Sequence, residues 1–296
     1  MPVDQLSDTD LPALQRLVRA CLEADGGLPA FAEPPLLQLR LLREQTLAVW
    51  DDGELVAAAG LTRSESRVIT TGLVAPWARR QGLGHHLLAW AEDAAPDAAL
   101  TVATETCSPD AERLYARHGL VCTFAESVLR HDLRHLPPVQ RPDPIRLVPA
   151  THADPADLFT AYVRSFAERP GFVQPTAQAW LGELGDDPAW RRDLSVVALA
   201  SDGTPAGFVN VVGRWIDQVG VVPAWRGHRL GTYLVARTLS ALAGESTAPV
   251  GLTVNVNNRA VELYRRLGFV DAGTRARYTR DAVSAAGRRP RSSRSR

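Results

Sequence analysis

The sequence predicts an α/β protein built from two similar halves, and three observations carry that prediction. A β-rich run, a Pro, an Arg- and Gly-containing turn and an apolar-striped helix occur at 70–95 (TTGLVAPWARRQGLGHHLLAWAEDAA). The same arrangement recurs from Gln218 (QVGVVPAWRGHRLGTYLVARTLSALAG). Between them HLPPVQRPDPIR places four Pro within eight residues, which marks a linker at 135–144. After this linker the order of predicted elements starts over, so the domains are read as 1–134 and 145–283, followed by a basic, disordered tail at 284–296.

The elements of the first half follow from local pattern. A short strand opens at Val3–Leu6, and Ser7 or Asp8 caps a helix running to about Glu23, with Leu11, Leu14, Leu17, Val18 and Cys21 on one face. A second, shorter helix covers 36–44. DDGE between the β-prone runs 46–50 and 55–62 is a hairpin signal. Val68 to Val74 is the next strand, closed by Pro76; the basic turn and its helix follow, then a strand at 99–106. Ser108, Pro109 and Gly119 bracket a helix as cap, first residue and terminator, and 121–133 reads as final strand. The second half repeats this as strand 145–148, helices 154–166 and 177–184, hairpin strands 194–200 and 206–212 around SDGTP, strand 216–222, helix 233–243, strand 250–256, helix 259–267 and strand 270–279.

Composition bounds the function classes. Hydrophobic residues make up 45% and charged residues 22% of 296, the profile of a globular domain pair. The 33 basic residues are all Arg and balance 33 acidic ones. Setting aside the last sixteen residues, with five Arg and one Asp, leaves 28 basic and 32 acidic and a body charge of −4. An acidic body does not suit nucleic-acid binding. Cys21, Cys107 and Cys122 lack metal-ligand spacing and read as free thiols, so no metal is expected. No apolar run approaches the roughly 18 residues of a membrane span, and the N-terminus carries no signal pattern, so the expected location is the cytoplasm.

The two turns are Arg79-Arg80-Gln81-Gly82-Leu83-Gly84 and Arg226-Gly227-His228-Arg229-Leu230-Gly231. A Gly-containing turn leading into a helix aims unpaired backbone N–H groups at one spot, which suits an anion. After each half's later strand a second motif recurs: Ser108, Ala111, Leu114, Tyr115, Gly119 and Leu120, then Asn257, Ala260, Leu263, Tyr264, Gly268 and Phe269. Tyr115 and Tyr264 lie 149 residues apart and Gly84 and Gly231 lie 147 apart, so the duplication keeps register.

With these two motifs in each half, the chain resembles the GNAT acyl-CoA N-acyltransferase superfamily, and in particular its two-domain members, the mycothiol synthases among them. The resemblance implies two GNAT-like domains, each a mixed, mostly antiparallel sheet with helices on both faces. It implies acetyl-CoA as cofactor and an acyl transfer to the amine of a small molecule, without a covalent acyl-enzyme. The pyrophosphate would lie on the turns 79–84 and 226–231 and near Asn257. Backbone groups of Leu73 and Val74, or of Val221 and Val222, would hold the pantetheine and thioester and polarise its carbonyl. Tyr115 or Tyr264 would protonate the departing thiolate. The first turn matches the family signature in full; the second has Arg229 at the first signature Gly, where an unusual backbone conformation is expected. The first half is therefore the surer acyl-CoA binder and the second the seat of acceptor chemistry. Glu65 and Glu105 in the first half and Asp217 in the second are the candidates for a general base, and each also reads as a solvated edge carboxylate. An acyl-CoA-binding structural or sensing protein is the alternative, and neither the acceptor nor the oligomeric state follows from the residues.

Overall fold

The computed structural model describes residues 3–169 and 171–282; the tail expected at 284–296 lies outside the described residues. The chain forms two compact units. Unit 1 runs to Val128 and takes in the chain from Ala272 on, and unit 2 is Leu129–Asp271.

Unit 1 contains β1 (Val3–Asp4), α1 (Leu11–Asp25), α2 (Pro34–Leu41), β2 (Gln45–Asp51), β3 (Glu54–Arg63), β4 (Arg67–Val74), α3 (Leu83–Asp93), β5 (Ala99–Thr104), α4 (Pro109–Arg117), most of β6 (Val121–His131) and most of β12 (Val270–Arg280). Its strands are ordered β1-β2-β3-β4-β5-β12-β6. The β4–β5 pair is parallel, while β1–β2, β2–β3, β3–β4 and β5–β12 are antiparallel. The β2–β3 hairpin closes through Asp52 and Gly53, both at positive φ (46° and 79°), as a DG turn requires. The α4 helix starts where Ser108 Oγ accepts from the Ala111 amide at 3.2 Å, and ends at Gly119, φ 71°.

Alternation along β3 and β4 separates two helix-covered faces. Ala59 and Gly72 point to α3, whose Leu87 packs there. Gly60 points to α2, where a Cβ would lie 2.6 Å from the Leu41 carbonyl oxygen. One core forms under α1 and α2 (Leu14, Leu17, Val18, Phe31, Leu37, Leu41), another under α3 and α4 (Leu88, Leu100, Val102, Tyr115).

Unit 2 repeats the order with β7 (Arg146–Pro149), α5 (Pro155–Phe166), α6 (Ala177–Asp186), β8 (Val196–Leu199), β9 (Pro205–Val212), β10 (Trp215–Val221), α7 (Leu230–Glu245), β11 (Val250–Asn255) and α8 (Ala260–Arg266). The strands are ordered β11-β10-β9-β8-β7, with β10–β11 parallel and the rest antiparallel. Both units thus have the expected mixed, mostly antiparallel sheet.

The contiguous halves read from the sequence differ from these units at two places, the chain's last strand and the end of β6. The chain's last strand, from Ala272, pairs with β5 of unit 1, Ala276↔Thr104 through Arg280↔Leu100. The end of β6, by contrast, belongs to unit 2, where Leu129 joins the core of β11 and α7. This exchange of final strands is non-local pairing, which local hydrophobic pattern does not encode.

Candidate active sites

In each unit two parallel strands run together and then part. The β4–β5 register covers only Arg67↔Ala99 to Thr70↔Val102, although β4 continues to Val74. In unit 2 the parting is nearly complete: β10 and β11 meet at Trp215↔Gly251 alone. Hydrogen-bonded and non-hydrogen-bonded pairs alternate along an antiparallel ladder, which tells which groups face each cleft. Ala75 N–H donates to the Val56 carbonyl at 2.8 Å, so the neighbouring pair Ala57↔Val74 is the open one and the Val74 N–H and C=O turn away from β3. Likewise Val222 N–H donates to Ala206 at 2.9 Å, so Val221, paired with Gly207, turns its N–H and C=O away from β9. The amide of Val222 is therefore spent within the sheet, and Val221 is the one facing the cleft.

Both open carbonyls are then covered by the first Arg of the turn. Arg79 Nε donates to Val74 O at 3.3 Å, and Arg226 Nε donates to Val221 O at 3.3 Å. Each guanidinium continues to the first helix region of its unit. Arg79 makes a bidentate pair with Asp25 at 2.9 and 2.6 Å. Arg226 reaches Glu168 at 2.5 Å and the Ser165 carbonyl at 3.2 Å. Arg79 and Arg226 are thus clamps that leave a lone N–H donor at the strand end, with their own charges already paired.

The turns share a backbone path and divide its two left-handed positions differently. In unit 1 they fall on Arg80 (φ 66°) and Gly82 (φ 86°); in unit 2 they fall on Gly227 (φ 80°) and Arg229 (φ 62°). Each turn carries one Arg and one Gly in this region, in opposite order. The unusual conformation expected of Arg229 is present, and Arg80 has its equal in the intact turn. Gly82 and Gly227 both border open space, so a Cβ at either meets nothing of the protein.

A cavity of about 350 Å³ joins the unit 1 cleft to its turn. Leu73, Val74, Arg79, Arg80, Gly82 and Gly84 line it, with Tyr115 at its wall. Gln81 is exposed and Leu83 half-buried against the core. Sequence reasoning missed Arg113 and Arg117, which add positive charge to this lining. Their spacing of four on the helix after Ser108 was the available signal. Arg80 and Arg113 both bond Asp110, Arg80 at 3.1 Å, and these partners, Arg113 first, hold the Asp110 carboxyl below its ordinary value. Cys21 also lines the cavity; burial pushes its thiol up to about 11, so it stays neutral and bonds the Val74 carbonyl.

The remaining site residues separate by environment. Tyr115 is buried, with its ring 4.9 Å from that of Tyr278, and burial raises its pKa well above the ordinary phenol range. Tyr264 is buried beside Phe269 and is pushed up to about 12. Both phenols therefore hold their protons at neutral pH. Glu105 is fully buried and faces three guanidinium groups, Arg40 at 2.7 Å, Arg277 at 2.8 Å and Arg275 at 3.2 Å. That arrangement makes it a structural anchor that ties α2 to β12 through three guanidinium groups. Asp217 is the extra residue of a bulge between Ile216 and Gln218. Desolvation of its carboxyl, and after it the nearby Asp187 carboxylate, push its pKa upward. In the second turn, His228 Nδ1 lies 3.0 Å from Arg226 O, Leu230 and Gly231 begin α7, and Leu230 is in the core. Asn257 is exposed in the turn after β11.

The profile of the Acetyltransferase (GNAT) family matches residues 11–120 and again 158–269. The chain is 31% identical to the mycothiol acetyltransferase of Clavibacter michiganensis subsp. michiganensis, over 89% of this chain and 92% of that one. It is 32% identical to the mycothiol acetyltransferase of Kineococcus radiotolerans, over 90% and 91%. Among solved structures, a GCN5-related N-acetyltransferase from Sphaerobacter thermophilus superposes with a TM-score of 0.75 at 25% identity, over 95% of both chains. A tandem GNAT protein from the clavulanic acid biosynthesis pathway shares the fold, with a TM-score of 0.62 at 20% identity over 95% of this chain and 98% of that one. No described helix is long and apolar enough to cross a membrane.

Proposed function

The chain belongs to the GNAT acetyltransferase family and is an acyl-CoA-dependent N-acyltransferase; from that premise we propose that acetyl-CoA is held by both clefts and that transfer to a small-molecule amine takes place in unit 2, in the cytoplasm. The observation that carries this reading is the duplicated strand end: a lone N–H, at Val74 and at Val221, beside a carbonyl already covered by the turn's Arg. The pyrophosphate would lie on the left-handed turns 79–84 and 226–231, with Arg80, Arg113 and Arg117 adding charge in unit 1 and Arg229 in unit 2. The thioester supplies the acyl group. The Val221 N–H, fixed in place by the β9–β10 ladder, would donate to the thioester carbonyl oxygen as charge develops there. The Tyr264 hydroxyl, protonated through neutral pH, holds a proton for the departing sulfur. The amine must arrive neutral; Asp217, the carboxylate carried by β10, is the candidate to receive its proton. The mycothiol acetyltransferase relatives make a thiol-containing amino compound one acceptor to try.

Unit 2 is favoured over unit 1 for transfer because β10 and β11 pair at one position alone, so their strands part over a greater length than β4 and β5. Tyr264→Phe should lower kcat about 100-fold with the KM for acetyl-CoA little changed, and Tyr115→Phe should leave kcat within about two-fold. Steady-state release of CoA thiol in the presence of a competent amine makes the measurement. Full activity in Tyr264→Phe would remove the acid from the scheme.

A further inference from the structure

Among the described residues six buried side-chain polar atoms lack a hydrogen-bond partner, and four of them lie on one small surface of unit 2: Ser165 Oγ, Asn210 Nδ2 and Oδ1, and Gln218 Oε1. The other two, Glu105 Oε2 and Arg275 Nε, face each other as an ion pair. Asn210 is wholly buried. Buried polar atoms are nearly always paired in folded proteins, so four orphans together call for a partner from outside the chain.

Their placement says which partner. Asn210 pairs with Gln218 across β9–β10, and Phe208 with Gly220 two residues along, so all four share one face of the sheet. Ser165 of α5 packs on Gly220, where a Cβ would meet the Ser165 side chain at 2.6 Å. The Ser165 carbonyl is held by the same Arg226 that covers the Val221 carbonyl. The orphaned surface therefore adjoins the residue whose N–H serves the reacting carbonyl. Half-buried rings of Tyr162 and Phe166 stand over Phe208 at 6.1 and 6.0 Å.

The same register in unit 1 gives the contrast. Ala58 pairs with Leu73 and Gly60 with Thr71. Gly60 is closed off by the Leu41 and Arg40 carbonyls, and the Thr71 hydroxyl donates to Ala103 O at 2.8 Å. At equivalent positions one copy is apolar or satisfied and the other is polar and unpaired.

We propose that Asn210, Gln218 and Ser165 form the subsite that receives the part of the amine acceptor adjoining its nucleophile. The three offer both donors and acceptors and no charge, so the group they take is neutral and both donates and accepts, such as a hydroxyl or a primary amide; a buried ion there would go uncompensated. The proposal rests on transfer occurring in unit 2.

The test uses the full-length protein, acetyl-CoA and two ring amines, polyhydroxylated glucosamine and unhydroxylated cyclohexylamine, compared at equal concentrations of their neutral forms, with CoA thiol release as the readout. The wild type should favour glucosamine by at least ten-fold in kcat/KM. Asn210→Leu and Gln218→Leu should each lose most of that preference through the KM for the amine, with the KM for acetyl-CoA unchanged. Both variants should also melt no lower than the wild type, since each removes a desolvated, unpaired group. Variants that melt several degrees lower and keep the wild-type preference would show that the polar atoms serve the free fold, and would overturn the subsite. Transfer to neither amine by the wild type would count instead against acceptor chemistry in unit 2, a failure distinct from transfer that persists with its preference unmoved.

Discussion

Unit 1 and unit 2 solve one problem twice with different residues. Both present a lone strand-end N–H beside an Arg-covered carbonyl, and both enter a helix through two left-handed residues. Unit 1 places Arg first and Gly second, and unit 2 reverses them. A departure from the family signature at Arg229 is thus a redistribution of the same backbone requirement and leaves the turn's path intact. What differs in kind is the surroundings: unit 1 has Arg80, Arg113 and Arg117 in its lining and an inner face that is apolar or satisfied, while unit 2 has an inner face that is polar and unpaired.

The units are also held by different buried polar anchors, and removing these should have the larger effects. In unit 1, Glu105→Ala would leave three partly buried guanidinium groups facing one another, and should destabilise by about 3 kcal/mol. Equilibrium denaturation measures this, and a loss below about 1 kcal/mol would mean that water replaces the carboxylate. In unit 2 the anchor is neutral. His131 Nε2–H donates to Leu267 O at 3.0 Å and Nδ1 accepts from the Leu133 amide at 2.9 Å, and burial lowers its pKa. Because the folded-state value lies below the unfolded one of about 6.5, His131 contributes stability that is fully present above that pH and is lost as pH falls through the lowered value. Melting temperature followed from pH 7 to 5 should fall accordingly, and His131→Gln, which keeps a donor and an acceptor without titrating, should flatten the slope.

The turns themselves should give the smallest changes. Gly82→Ala forces a side chain to φ 86° and should cost about 1 kcal/mol. Arg229→Gly relieves comparable strain but adds freedom to the unfolded chain, for a net change near zero. In binding, Gly82→Ala should weaken acetyl-CoA at unit 1 more than Arg229→Gly, which removes one charge facing the pyrophosphate, weakens it at unit 2. The reverse order would mean that the Arg side chains, rather than the backbone path, set affinity.

Much of this was legible in the sequence because it is local. Hairpins, caps, turns and the two Tyr motifs are each set within a dozen residues, and the role of the strand ends at Val74 and Val221 follows from the family they mark. The rest depends on distant partners. Glu105 looked like a base on a strand end; three Arg from α2 and β12, up to 172 residues away, make it an anchor. Arg79 and Arg226 looked like phosphate ligands until Asp25 and Glu168 were found opposite them. The last strand's membership of unit 1 has no local signal, and Asn210 reads as any polar residue in a strand until its lack of partners is seen.

The central claim, two working cradles in one chain with transfer confined to the second, is tested most directly by counting acetyl-CoA bound per chain by titration calorimetry in the absence of an acceptor. The account predicts two molecules per chain, falling to one when Val74→Pro removes the unit 1 amide while transfer continues. A count of one in the wild type, or loss of transfer in Val74→Pro with unit 2 still loaded, would contradict it.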